Sequence, residues 1–339
     1  MRLIKTEDAV GHVLCHDMTQ IIKDQYKDAR FRKGHVVTEE DIPVLLSMGK
    51  EHLYVWEMTP GMVHENDAAE RLLALCGQEN MIRSGVKEGK IELKAACDGV
   101  FLVDSARLVA VNSQDEVMIA TRKGGMAVRE GDKLAGMRVI PLIIEEEKLR
   151  KAEQAAGDKP LLSLKPYVRK TACIVATGGE VKKGLIKDTF TPVVIDNLKT
   201  YGIETLEVVY SGDGVENVRD AVLAMREKKP DMILCTGGMS VDPDDNTPGG
   251  IKAAGANIIA YGAPVLPGAM FLLGYFDDGM PVMGLPGCVM YVGATVFDLV
   301  LPKIAADVPV TRADIAALGE GGLCLGCKPC HYPICPFGK

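Results

Sequence analysis

Asp188 and Asp245 occupy matching places in two stretches of this 339-residue chain. The stretches "CIVATGGEVKKGLIKDTFTPVVIDNL" and "ILCTGGMSVDPDDNTPGG" both run from an apolar segment through Thr-Gly-Gly and a loop to Asp and then Thr-Pro. Thr177-Gly178-Gly179 thus mirrors Thr236-Gly237-Gly238, and Thr191-Pro192 mirrors Thr247-Pro248. Glycines at a strand end let backbone N–H groups approach an anion, and nearby carboxylates hold a divalent cation such as Mg2+. The chemistry this constellation suits is the binding of a phosphate or pyrophosphate together with a metal ion. An aspartate just before a helix is most often only its cap. Here each Thr-Pro pair supplies the expected hydroxyl cap and a proline at the first helical position. That would leave Asp188 three residues and Asp245 two residues upstream, facing the strand ends. Asp242 and Asp244 read as solvated loop charges.

The elements that must position these residues follow from the apolar pattern. From Thr171, "TACIVATGG", "ETLEVVYSGDG", "DMILCTGG" and "PVMGLPG" are apolar runs ending in glycine, the first three followed by helical pattern. Strands apolar on both faces and alternating with helices predict an α/β fold, a mostly parallel sheet with helices on both faces. Ligands in such sheets bind outside the carboxyl ends of the strands, where the glycines fall. Gly212-Asp213-Gly214 has the look of a dinucleotide fingerprint, but Asn217 takes its third glycine position, and Asp213 with Glu216 reads instead as a capping box. The turn at Pro286-Gly287 either closes the crevice or leaves the sheet.

Up to about Ile144 the texture differs. Short β-type runs ("GHVLCHDMTQII", "HLYVWE", "GVFLVD", "RLVAVN", "EVMIAT", "MRVIPLII") alternate with Gly, Asp and Asn turns and predict a β-rich, barrel-like or sandwich region. Helices are expected from Thr38 to Gly49, up to Gly77, and through the charged stretch ending at Gly157, which marks the domain boundary. The expected organisation is a β-rich region over 1–150, with two subdomains split near 65–85, an α/β domain over 170–306, and a cysteine-rich tail over 320–339.

Composition narrows the class. The chain has 46 acidic and 39 basic residues, a formal charge of −7, and no basic patch with interleaved aromatics, which argues against nucleic acid as a partner. Its start lacks an apolar targeting segment and no stretch reads as a membrane span, so a soluble cytoplasmic protein is expected. Six of the ten cysteines are scattered singly and read as reduced small hydrophobes. The other four, Cys324, Cys327, Cys330 and Cys335, are spaced C-x2-C-x2-C-x4-C, which suits an iron–sulfur cluster or Zn2+, with a slight lean to iron–sulfur. Such a tail is too short to fold around a core and would be irregular or disordered without metal. The histidines of the β-rich region read as structural or exposed, and no G-x-S-x-G elbow occurs.

Taken together, "TGGEVKKGLIKDT", "CTGGMSVDPDDNTP" and "PVMGLPG" resemble the molybdopterin-binding domain shared by molybdopterin adenylyltransferases and molybdopterin molybdenumtransferases. The resemblance implies that molybdopterin, or adenylylated molybdopterin, binds at the strand ends. It assigns Asp188 and Asp245 as the acids of the divalent-metal or molybdate-transfer site. Thr177, Gly178 and Gly179 match the first glycine loop, and Gly237, Gly238 and Ser240 match the second. Thr236, Thr247, Pro286 and Gly287 complete the expected binding set. "EDAVGHVLCHDMT" is similar to the opening of the molybdenumtransferases; where those longer enzymes end in a small β-barrel this chain carries its cysteine tail, and Cys288-Val289 replaces their usual Asn-Pro. Two functions are compatible with these features. One is a molybdenumtransferase-like enzyme that brings molybdate or tungstate to the pterin, in a homo-oligomer. The other is a non-catalytic molybdopterin carrier or a redox or metal sensor, with the tail meeting a redox or metal-donor partner.

Overall fold

The computed structural model describes residues 2–22, 26–55, 60–242 and 245–339. Asp244, and the end of the run "HLYVWE" from Trp56 on, lie outside the described residues. The chain divides into two compact units, Met1–Ala96 with Val103–Gly124 and Gly131–Ser163, and Cys97–Leu102 with Gly125–Glu130 and Leu164–Lys339.

The first unit is built from small sheets and helices. Arg2–Lys5 pairs antiparallel with His52–Val55, Met18–Ile22 with Tyr26–Phe31, and Met62–His64 with Ile143–Glu145. A four-stranded sheet takes the order Met81–Arg83, Ile91–Ala95, Lys133–Val139, Val117–Thr121. The helix Glu65–Cys76 buries Ala68, Ala69, Leu72, Leu73 and Cys76, a 3.6-residue stripe, and stops at Gly77 with φ 72°. Glu146–Ala156 is helical and ends at Gly157, also with positive φ, as its pattern predicts. The run "RLVAVN" is not a strand: Ser105–Asn112 is a helix. Asp104 caps it by accepting from the Arg107 amide at 3.1 Å, and the Arg107 guanidinium holds the carbonyls of Ala156, Lys159 and Pro160. A cap and a tertiary anchor here outweigh β-branched propensity.

The second unit contains the six-stranded sheet. Its strands are β1 (Thr171–Thr177), β2 (Glu204–Ser211), β3 (Met232–Thr236), β4 (Asn257–Tyr261), β5 (Leu272–Tyr275) and β6 (Pro281–Leu285), in the order β2-β1-β3-β6-β5-β4. β2, β1, β3 and β6 are parallel, β5 is antiparallel to β6, and β4 is antiparallel to β5. The helices are α1 (Gly179–Lys182), α2 (Phe190–Thr200), α3 (Val215–Glu227), α4 (Thr247–Ala253), α5 (Val296–Ala305) and α6 (Arg312–Ala317). Alternate residues of the central strands face opposite cores, which is why their sequences are apolar throughout. Ala172, Ile174 and Leu234 pack with Val194 and Leu198 of α2 and with Phe297 and Val300 of α5. Cys173, Val175, Ile233 and Cys235 pack with Val218 and Val222 of α3 and Ile251 of α4.

Two segments from the N-terminal half of the sequence join this unit. Met126–Val128 pairs antiparallel with Gly99–Phe101, and the Tyr167 hydroxyl donates to the Gly99 carbonyl at 2.9 Å. The tail joins it too. Phe337 is only 2% exposed within the core, Tyr332 donates to the Asp298 carbonyl at 3.1 Å, and the Gly338 amide donates to Gly321. The tail is irregular but anchored at both ends, because it supplies an aromatic to a core that already exists rather than building one of its own.

Candidate functional site

The parallel strands end level with one another. Thr177 is paired with Ser211, Ala176 with Thr236, and Thr236 with Leu285. Four turns therefore emerge from one edge of the sheet, beginning at Gly178, Gly212, Gly237 and Pro286. Asp188, Asp245 and Ser240 all lie in the loops that follow.

Asp188 is itself a cap. Its Oδ1 accepts from the amides of Phe190 and Thr191 at 2.9 and 3.0 Å, so α2 begins before the Thr-Pro pair and Thr191 does not cap it. Its Oδ2 is buried without a hydrogen-bond partner at ordinary distance among the described residues. Burial pushes this carboxyl up, but the nearby Thr191 hydroxyl, the amides of Thr191 and Phe190, and the Tyr210 hydroxyl outweigh it and hold it below the usual carboxylate range. Asp188 is thus an anion with one oxygen committed to the helix. Tyr210, at the end of β2, is a neighbour that the sequence pattern did not single out, since a tyrosine in a strand reads as packing. Burial and the Asp188 carboxylate push its phenol up.

Asp245 closes the second loop. Its Oδ2 accepts from the Ser240 amide at 3.0 Å, and Tyr261 of β4 donates to the Met239 carbonyl in the same loop at 3.0 Å. Thr247 is the first residue of α4, with Pro248 next, and its hydroxyl makes no cap. It lies instead 2.9 Å from the Gly237 carbonyl and 3.0 Å from the Thr177 hydroxyl. Gly237 and Gly238 have φ of 81° and 56°, and a Cβ on either would meet Thr177 or Thr247 atoms within 2.6 Å. These glycines answer to close packing and to a left-handed backbone.

The first loop holds a correction. Asp213 does not cap α3, whose cap residue is Gly214. Its carboxylate accepts from the Gly179 amide at 3.0 Å, so a side chain of this chain sits against an N–H of the first glycine loop. The Pro286-Gly287 turn leads into a short 3-10 turn over Gly287–Met290, and the Thr189 hydroxyl donates to the Met290 sulfur at 3.0 Å, joining the fourth turn to the first loop.

Among the described residues, no three His, Cys, Asp or Glu side chains come together as a group able to hold a metal ion. This covers Asp188 and Asp245 and also the four tail cysteines. Cys324 and Cys335 are half-buried against the core, whereas Cys327 and Cys330 are exposed. Mg2+ keeps its waters and is bound through one or two carboxylates plus substrate phosphates, so Asp188, whose Oδ2 is buried without a donor at ordinary distance, and Asp245 are the residues that would hold it. A groove of about 610 Å3 runs along β2 and α2, lined by Ile195, Lys199 and Leu206 among others; neither aspartate lines it. Among the described residues no helix is long and apolar enough to cross a membrane.

A doubly wound sheet with paired glycine loops and acids at the strand ends defines the class, and residues 173–306 match the family described as "Probable molybdopterin binding domain". The matched segment takes in β1 through α5. Residues 3–57 match a family described only as a domain of unknown function. Over 76 residues the chain is 33% identical to the CinA-like protein of Mycobacterium tuberculosis, covering 22% of this chain and 18% of that protein. The match therefore spans less than a fifth of that relative. Among solved structures, the molybdopterin biosynthesis enzyme MoaB of Thermus thermophilus is 16% identical, with a TM-score of 0.36, over 42% of this chain and 97% of that one. The protein CinA of Thermoplasma acidophilum is 18% identical, with a TM-score of 0.35, over 40% of this chain and 98% of that one.

Proposed function

We propose that this protein acts in molybdenum-cofactor biosynthesis as a molybdenumtransferase-like enzyme, taking adenylylated molybdopterin at the carboxyl ends of β1 and β3. What supports this reading is that both glycine loops, followed in sequence by Asp188 and Asp245, leave one edge of a sheet lying in the segment that matches a probable molybdopterin-binding domain. Molybdate or tungstate is the second substrate. Asp188 and Asp245 would hold Mg2+, which when bound neutralises pyrophosphate charge. Asp188 is kept ionised by its amides and hydroxyl neighbours, so its buried oxygen is anionic at neutral pH. Asp245 fixes the Ser240 amide, and with it the path of the second loop, so that loop donors are already oriented when the anion arrives.

The same reading includes a homo-oligomer, a cytoplasmic location, and a metal-donor or redox partner at the tail. A tail metal, iron–sulfur or zinc, requires the exposed Cys327 and Cys330 to move toward Cys324 and Cys335. The carrier or sensor reading gains from the same tail, because its thiols sit on an anchored loop whose Cys330 packs against Gly293, three residues beyond Met290.

Incubating the protein with molybdopterin-AMP, Mg2+ and molybdate tests the proposal. Release of AMP with formation of active cofactor is expected; tight binding without release would replace the enzyme by the carrier. Metal analysis of protein purified without oxygen tests the tail, and neither iron nor zinc above background would end both metal readings.

A further inference from the structure

Thr177 and Thr247 are 70 positions apart, yet their hydroxyls meet at 3.0 Å in the interior between the two glycine loops. Thr177 ends β1 and is 9% exposed; Thr247 opens α4 and is 1% exposed. The Thr177 hydroxyl also lies 2.9 Å from the Thr236 carbonyl, and that of Thr247 lies 2.9 Å from the Gly237 carbonyl. Each hydroxyl has a single proton. If Thr247 donates to Gly237, the contact between the hydroxyls needs the Thr177 proton and Thr236 receives none. If Thr247 donates to Thr177, the Thr177 proton goes to Thr236 and Gly237 receives none. In both arrangements the pair ties the end of β1 to the start of the second loop.

The surrounding backbone leaves this pair little freedom. A Cβ at Gly238 would come within 2.6 Å of the Thr247 hydroxyl and 3.2 Å of the Thr177 hydroxyl. The Thr247 amide donates to the Gly238 carbonyl at 3.1 Å, so Thr247 closes the loop from Gly238 to Thr247 by main chain and side chain together. Inside that closure Asp245 holds the Ser240 amide.

We infer that Thr177 and Thr247 are positioning residues, a hydroxyl strut that fixes the second glycine loop, with Ser240 and Asp245, against the first. Expected in the sequence to belong to the binding set, these two hydroxyls are instead turned to each other and to the Thr236 and Gly237 carbonyls. This deepens the proposed function and rests on it for the ligand-binding measurement alone; the loop-order measurement is independent of any ligand.

The test compares Thr247→Val, which keeps the shape and removes the hydroxyl, with Thr247→Ser, which restores it. Hydrogen exchange of the ligand-free protein over residues 237–247 should quicken about tenfold in the valine variant and stay within about twofold of wild type in the serine variant. Molybdopterin, followed by its own fluorescence, should bind about tenfold more weakly to the valine variant and near wild-type strength to the serine variant. Should Thr247→Val not fold, Thr177→Val against Thr177→Ser provides the same comparison from the other hydroxyl. Equal exchange in the valine and serine variants overturns the strut. Quickened exchange with unchanged pterin affinity overturns its positioning role. Wild-type protein that does not bind molybdopterin refutes the pterin reading instead, and the exchange comparison still decides the strut.

Discussion

The Asp213 carboxylate accepts a hydrogen bond from the Gly179 amide at 3.0 Å, across 34 residues of sequence. An amide at the head of the first glycine loop, the kind of donor that would meet a phosphate, is thus held by an acid of the neighbouring turn. An anionic ligand arriving there meets that negative charge and must compete for the same N–H. Asp213→Asn keeps an acceptor of the same shape and removes the charge. Its affinity for molybdopterin should rise by about threefold to tenfold, more at low salt than at high salt. Titration at two ionic strengths measures this, and an unchanged or weaker affinity would show that the first loop does not take the anionic end of the ligand.

Asp188 combines a cap at Oδ1 with a second, buried oxygen, and two substitutions separate these roles. Asp188→Ala removes the acceptor for the Phe190 and Thr191 amides and should lower stability by about 1 kcal/mol. Asp188→Asn keeps the cap, since asparagine caps as well as aspartate, and should leave stability within about 0.5 kcal/mol. Both should lose Mg2+-dependent AMP release by orders of magnitude. An asparagine variant with full activity would reduce Asp188 to a helix cap.

Acid should weaken the first unit through two histidines. His64 caps the helix Glu65–Cys76 with Nδ1, which accepts from the Asn66 amide and lies 3.1 Å from the Lys33 ammonium, while Nε2 donates to the Cys15 carbonyl at 2.6 Å. Burial and Lys33 push its pKa down, against the Cys15 carbonyl and Asp67. His16 is pushed down by burial, Lys50 and His64, against Asp17. Both imidazoles take up a proton less readily in the folded chain than in the unfolded one. The stability they contribute is complete above the ordinary value of about 6.5 and is lost as pH falls below it toward the depressed folded values. Urea titrations between pH 8 and pH 5 should show this decline, and His64→Gln should flatten it; a decline unaltered by that change would place its origin elsewhere.

The tail should contribute to stability with no metal bound. Phe337→Ala removes a side chain only 2% exposed and should cost about 3 kcal/mol or more. Thermal melts in the presence of a chelator measure it. A loss below about 1 kcal/mol would mean that the tail is not part of the core.

Much of this architecture was legible locally. Strands apolar on both faces and ending in glycine predict a sheet covered on both sides, and β1, β3 and β6 follow that pattern. Helix stops at Gly77 and Gly157 follow from the need for positive φ, which glycine meets at least cost. The paired loops and their acids were visible as a repeat because both halves use the same strand, turn and helix chemistry.

Which groups meet was decided only in three dimensions. The sequence pattern gave the caps to Thr191, Thr247 and Asp213, since each precedes or opens a helical stretch. In the fold Asp188 caps α2, Asp213 bonds to Gly179, and Thr247 ties its loop to Thr177. The choice among polar partners depends on which backbone groups the sheet register brings within about 3 Å, and no local propensity contains that register. The same holds for the placement of residues 97–102, 125–130 and 321–339 in the second unit. A short apolar segment is buried wherever a core has room for it, and Phe337 fills a space formed by α5 and the strands more than thirty residues before it.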